Sequence, residues 1–140
     1  HAARMIVTGA SVSVTVFTII LRKANGLGAQ AKAGGRIKAP FFTVSWPTGE
    51  FGGMGLEGAV KLGYRNELAA VEDPEARKRL FDEMVARSYE RGKAVNTASH
   101  FEIDAVIDPL ESRSWVTRAL KSVPPPPERR EKKRPNVDTW

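Results

Sequence analysis

Apolar residues in this chain gather in short runs separated by glycine and proline. Val12 to Leu21 crowds β-branched and aromatic residues, ending in Phe17-Thr18-Ile19-Ile20-Leu21. Such a run predicts a buried strand. Phe41 to Trp46 predicts a second strand, stopped by Pro47, and Ile103 to Ile107 a third. Glycines around Phe51 to Met54 predict a strand end or turn. The helical signals lie between these runs. Residues 1–10 read as the end of a helix, and the small residues from Gly28 to Ala33 can open another. Gly55 to Asn66 reads as a helix despite Gly58 and Gly63. Each helical glycine costs about 1 kcal/mol against alanine, so close packing is expected at both.

Asp73-Pro74-Glu75 is a helix start, with Asp as N-cap and Pro at the first position. That helix should run to about Arg91 and end at Gly92. Leu80, Phe81, Met84, Val85 and Tyr89 form one stripe on it, expected to face the core. Asp108-Pro109-Leu110-Glu111 opens a last helix, with Glu111 placed for a capping box. Trp115, Val116, Ala119 and Leu120 are its expected buried face. Alternating strands and helices predict an α/β fold.

The 140 residues suffice for one domain with a core. Cysteine is absent, which excludes disulfides and thiolate metal sites and suits a cytoplasmic protein. The longest apolar run is too short to span a bilayer. The chain does not begin with Met and opens as if inside a helix. It is expected to be the C-terminal portion of a longer polypeptide. The net charge is +6, and Arg129, Arg130, Lys132, Lys133 and Arg134 cluster near the end. Glu128 and Glu131 interrupt this run and Pro124 to Pro127 precede it, so it reads as an extended, solvated tail rather than a nucleic-acid site. The expected division is residues 1–123 as the folded part and 124–140 as a Pro-rich basic tail.

Few side chains here can do chemistry. His1 and His100 are the two histidines, and no pair has metal-ligand spacing. Ser11, Ser13 and Ser45 lie on apolar strands with no base nearby and no Gly-x-Ser-x-Gly elbow. Gly52-Gly53-Met54-Gly55 lacks the Gly-Lys-Ser/Thr ending of a phosphate loop. Asn25-Gly26-Leu27-Gly28 lacks the third glycine of a dinucleotide fingerprint. Backbone donors remain. An oxyanion hole needs two preorganised N–H groups on small residues that a ligand can approach. Gly28 and Ala29 follow a strand, precede a helix and carry almost no side chain. A tight turn with no ligand is the other reading of the same residues.

Three motifs carry a family resemblance. Arg22-Lys23-Ala24-Asn25-Gly26-Leu27-Gly28-Ala29, followed by Trp46-Pro47-Thr48-Gly49-Glu50 and Met54-Gly55-Leu56-Glu57-Gly58-Ala59-Val60, resembles the carboxyltransferase subunit of biotin-dependent acyl-CoA carboxylases, of the acetyl- and propionyl-CoA carboxylase type. Tyr64-Arg65, Ile107-Asp108-Pro109, Ser112-Arg113 and Arg118-Ala119-Leu120 extend the likeness in the same order. The resemblance implies a crotonase-like α/β fold, here the later part of the second carboxyltransferase domain. It implies carboxyl transfer from carboxybiotin, carried on a separate domain or subunit, to an acyl-CoA. Gly28 and Ala29 match the backbone donors that hold the biotin ureido oxygen. Asn25, Gly26, Leu27, Gly53, Met54 and Gly55 become candidate substrate-binding residues, and no metal is implied. A biotin carboxylase and biotin carrier partner and a homo-oligomer are implied, with no nucleic acid and no membrane. A related acyl-CoA decarboxylase, or a non-catalytic module that uses the basic tail to bind an acidic partner, are the rival readings.

Overall fold

The structure, a computed structural model, describes residues 2–10, 12, 14–34, 37–125 and 128. Helix α1 (Ala2–Ala10) leads into β1 (Phe17–Ile20), β2 (Lys23–Asn25) and α2 (Gly26–Lys32). Then come β3 (Phe42–Ser45), β4 (Glu50–Gly52), α3 (Leu56–Gly63), α4 (Arg65–Ala69) and the long α5 (Pro74–Arg91). Helix α6 (Ala94–Ser99), β5 (Ala105–Val106), a 3₁₀ turn at Pro109–Glu111 and α7 (Ser112–Ser122) complete the order. The α/β expectation holds.

The main sheet has strand order β1-β3-β5, and both pairings are parallel. All four residues of the central strand β3 are buried, as a strand flanked on both edges and covered on both faces requires. The two polar residues this buries are satisfied. Thr43 N–H donates to Asp104 Oδ2 (2.7 Å), and Thr43 Oγ1 donates to the Ile37 carbonyl. Ser45 Oγ donates to the Trp46 carbonyl (2.9 Å).

Two apolar clusters form the core. Phe42, Val44, Ile107 and Ala119 join Trp46, Trp115 and Val116 between the sheet and α7. The Trp115 ring meets Phe42 edge-on at 5.5 Å. Ala24, Phe51, Ala94 and Ile103 form the second cluster, with Ala29 and Ile37 against it. Ile103 and Ile107 thus anchor one segment in both clusters.

Several elements differ from the sequence reading. Among the described residues, the strand expected over Val12 to Leu21 covers Phe17–Ile20. Its ladder begins at Phe17 opposite Phe42, and the partner chain before Phe41 is Pro40, which has no N–H to donate. Val12 and Val14 are exposed. The expected helix Gly55 to Asn66 breaks at Tyr64 into α3 and α4. Nothing lies within 4 Å of a Cβ added at Gly63, and Gly58 meets only the Met54 Cε at 3.7 Å. Close packing therefore explains neither glycine. The third strand shortens to Ala105–Val106.

Helix α5 starts and stops as its sequence dictates. The Asp73 carboxylate accepts from Glu75 N and Ala76 N (3.2 and 3.1 Å), and Gly92 follows the last turn. Its stripe is only half-buried, because α5 packs on small helices rather than over the sheet. The capping box of Asp108 and Glu111 is present. Leu120 is 60% exposed, since one residue beyond buried Ala119 turns it off the packed face.

Candidate functional site

A second parallel pair, three residues per strand, organises the glycine-rich segments. β2 pairs with β4 in the register Lys23↔Glu50, Ala24↔Phe51, Asn25↔Gly52. Because the strands run parallel, both carboxyl ends fall on one edge, and the turn after each strand opens there. Crevices at the carboxyl ends of parallel strands are where α/β proteins place ligands. Ala24 and Phe51 point into the core and fix the pair from below.

Gly26 begins α2 with φ +56°, a conformation that costs a side chain strain. A Cβ added there would lie 2.5 Å from the Gly53 carbonyl oxygen and 4.0 Å from Met54 Cα. The two turns therefore touch. Gly53 and Gly55 have open space around them. Gly55 is the N-cap of α3, so α2 and α3 both start at this edge.

In a helix that opens at Gly26, the N–H groups of Gly26, Leu27 and Gly28 have no partner within the helix, whereas that of Ala29 lies one turn from the Asn25 carbonyl. Gly28 is exposed, and an added Cβ there would meet nothing within 4 Å. Ala29 is half-buried against the cluster of Ala24 and Phe51. Asn25 turns inward: its side-chain oxygen is buried without a hydrogen-bond partner, 3.3 Å from where a Gly52 Cβ would stand. Leu27 and Met54 are exposed at the turns.

Beside the turns lies an open cleft of about 360 Å³. Gly26, Leu27, Gly52 and Gly53 line it, together with Gln30, Thr97 and Glu102 and the apolar Ala24, Ile37 and Phe51. Thr97 and Glu102 escaped the sequence reading. Their only local signal is Gly92, where a Cβ would lie 2.4 Å from the Phe51 carbonyl oxygen, and which lets α6 turn against β4. Phe51 N–H donates to the Gly92 carbonyl (2.7 Å) and Ala94 N–H to that of Gly49 (3.0 Å).

Charged residues near the turns have protein partners. Arg22 Nε lies 3.9 Å from Glu50 Oε1 at the surface. Tyr89 Oη donates to Glu57 Oε1 (2.6 Å), tying α5 to α3. That bond holds the Glu57 carboxyl below the usual carboxylate range and pushes the Tyr89 phenol up. Trp46 packs in the cluster under α7, and its Nε1–H donates to Ser112 Oγ (2.9 Å). Pro47 is exposed. His100 is an exposed C-cap of α6, and His1, Ser11, Ser13 and Arg129 to Arg134 lie outside the described residues. Among the described residues, no group of three or more His, Cys, Asp or Glu is placed to hold a metal ion. No helix among them is long and apolar enough to cross a membrane.

Parallel strands that end in paired glycine turns, each opening a helix, define this as an α/β domain of the crotonase-like class, the fold of its structural neighbours. The family model for the carboxyl transferase domain matches residues 1–137. The chain belongs to that family. It is 32% identical over 122 residues to the carboxyltransferase subunit of propionyl-CoA carboxylase from Haloferax mediterranei, covering 86% of this chain and 23% of the relative. A solved single-chain, multi-domain long-chain acyl-CoA carboxylase superposes with a TM-score of 0.71 at 56% identity, over 84% of this chain and 11% of that one. The transcarboxylase 12S structure with methylmalonyl-CoA bound superposes with a TM-score of 0.75 at 26% identity, over 97% of this chain and 26% of that one. The chain thus spans about a quarter or less of the length of these relatives.

Proposed function

We propose that this chain forms the biotin-side half of a carboxyltransferase active site, which moves a carboxyl group from carboxybiotin to an acyl-CoA. The observation that carries the reading is the β2–β4 register, which sets the two glycine turns of the family signature against each other at one sheet edge. The residues present fit biotin. Gly28 offers an exposed backbone donor with no side chain in the way, and its neighbour Leu27 lines a cleft of about 360 Å³, room enough for a small bicyclic ring. When bound, biotin supplies the transferable carboxyl group and a ureido oxygen that gains negative charge as that group leaves.

Gly28 N–H is the principal donor to that charge, held by the start of α2, and Ala29 N–H the second, shared with the helix ladder. Fixed dipoles of this kind stabilise developing charge without reorganising. The acyl-CoA thioester and a second oxyanion hole belong to another domain. A biotin carrier and biotin carboxylase deliver the biotin, and crotonase-like domains of a homo-oligomer close the site. The 56% identity to a long-chain acyl-CoA carboxylase, against 32% to a propionyl-CoA carboxylase subunit, favours a long-chain acyl-CoA as the acceptor.

The test compares donors. In the assembled enzyme, Gly28→Pro removes one N–H, whereas Gly28→Ala keeps it and adds a methyl in open space. The Pro variant should lose on the order of 10²–10³-fold in kcat with acyl-CoA affinity nearly unchanged, and the Ala variant should stay active. Ala29→Pro and Ala29→Ser form the matching pair at the second donor. Near-normal turnover in folded Pro variants would sink the assignment.

A further inference from the structure

We propose that the turn between β4 and α3 is a peptide-flip switch, in which the Met54–Gly55 peptide turns over and its N–H latches onto the Asn25 side chain. The proposal rests on the function given above only for what the switch controls, the readiness of the site for biotin.

Asn25 Oδ1 is buried and has no hydrogen-bond partner. Asn25 holds the N-cap position of α2, yet its side chain makes no cap bond there. It leans instead across the ladder towards Gly52, its register partner in β4. The space over Gly52 is crowded. A Cβ added to Gly52 would lie 2.7 Å from Leu56 Cδ2, 2.9 Å from the Met54 carbonyl oxygen and 3.3 Å from Asn25 Oδ1. Two acceptors thus converge on one small space beside an apolar side chain, and no donor reaches Asn25 Oδ1. An acceptor buried in this way forgoes the bonds it makes in water. A nearby arrangement that pairs it therefore competes with the one seen here.

Such an arrangement is one peptide away. Turning over the Met54–Gly55 peptide exchanges the inward Met54 carbonyl for the Gly55 N–H and brings that donor to face Asn25 Oδ1. Because the peptide is planar it moves as a unit, through about 180° in ψ of Met54 and φ of Gly55. Gly55 has φ −52° and ψ 129° in the structure. The flip carries its φ to about +130°, a region open to glycine and costly for other residues. The conformation seen here does not call for glycine: its φ is ordinary, and an added Cβ would meet nothing within 4 Å. The flipped one does call for it. Gly53 has the same open space, and residues 53–55 are exposed, so the turn has room to rotate.

The two states differ in the sign of one dipole at the edge where the glycine turns meet. In the structure the Met54 carbonyl points inward, and the Gly55 N–H, on the other side of the same planar peptide, points outward. In the latched state the carbonyl points outward. An outward carbonyl opposes the negative charge that the proposed transfer places on the ureido oxygen, and an outward N–H favours it. Biotin therefore selects the unlatched state. The enzyme held in the latched state lowers the apparent affinity in proportion.

The experiment uses the assembled enzyme, with free biotin as the probe. Asn25→Ala removes the latch. Gly55→Ala keeps the φ seen here and excludes the flipped one. Calorimetry should show biotin binding about three- to tenfold tighter in each variant, and no tighter in the double variant than in the tighter single one. Hydrogen exchange at the Gly55 amide, read by mass spectrometry without biotin, should quicken in Asn25→Ala by the same factor, because the latched N–H is protected. A Gly55 exchange rate indifferent to Asn25→Ala would overturn the latch. Biotin binding that is unchanged in both single variants, or gains that add in the double variant, would overturn its control of the site. If biotin binds none of the four proteins, the proposed function fails, and a Gly55 exchange rate that still depends on Asn25 upholds the latch by itself.

Discussion

Gly26 and Gly53 face each other across the ends of two parallel strands so closely that a Cβ on Gly26 would lie 2.5 Å from the Gly53 carbonyl oxygen. Gly26 also sits at φ +56°. Side chain and backbone thus both demand glycine at this one position. Gly26→Ala should destabilise the chain by at least about 2 kcal/mol, the sum of left-handed strain and a backbone clash. Gly28→Ala and Gly53→Ala should cost far less, since a methyl at either meets open space. Urea unfolding midpoints for the three variants decide it; equal losses would refute the contact.

Trp46 and Ser112 join the end of β3 to the start of α7. The indole N–H donates to Ser112 Oγ (2.9 Å), and that hydroxyl donates to the Pro109 carbonyl (2.8 Å). Trp46→Phe keeps most of the packing and loses the bond, so it should cost about 0.5–1.5 kcal/mol. Ser112→Ala should cost as much or more, because it leaves a partly buried N–H without its partner. A double-mutant cycle by thermal unfolding should then show coupling; strict additivity would mean that the bond contributes nothing.

The Tyr89–Glu57 bond gives the α3–α5 contact a pH window. The Tyr89 hydroxyl lowers the Glu57 pKa chiefly by donating to it, and Glu57 raises that of Tyr89 by accepting. For Glu57 the depressed folded pKa means that its contribution is present above the ordinary carboxylate range and lost as pH falls through the folded value. For Tyr89 the raised folded pKa means that its contribution is present below about pH 10 and lost as pH rises through the folded value. The tie should hold between these limits. The bond lies at the surface, so the effect on stability is small, but the titration itself is readable. Ultraviolet absorbance should show one of the two tyrosines ionising above the ordinary pH. Tyr89→Phe should remove that step. Absence of a raised step in the unmodified chain would contradict the bond.

As a separate polypeptide, this chain should carry no carboxyl transfer, because one half of the proposed site has no partner domain. It should also bind a dye for apolar surface or self-associate. β1 forms one edge of its sheet, and Val12, Val14, Leu21 and Phe41 are exposed beside it. Sedimentation and dye fluorescence check the second expectation, and incubation with carboxybiotin and several acyl-CoAs the first. A clean monomer without dye binding, or turnover at enzyme rates, would count against each in turn.

The sequence by itself determined the features that local chemistry dictates. The Asp73-Pro74 start and Gly92 end of α5, the Asp108–Glu111 capping box and the buried strand Phe42–Ser45 all follow from residues within a few positions of each other. The glycine-rich motifs marked the family and the candidate residues Gly28 and Ala29, because motif order is written along the chain. Tertiary structure decided the rest. β2 and β4 are three residues each, too short to show a period, and exist only because each completes the other's ladder. Their register, not either motif alone, brings Gly26 to Gly53. Where β1 begins depended on the partner strand rather than on its own β-branched run. The Thr97 and Glu102 lining of the cleft came from α6 folding back over β4, a contact across some forty residues that no local pattern encodes. Side-chain preference acts locally, whereas which surfaces meet depends on long-range packing, so the family motifs were legible in the sequence and the cleft was not.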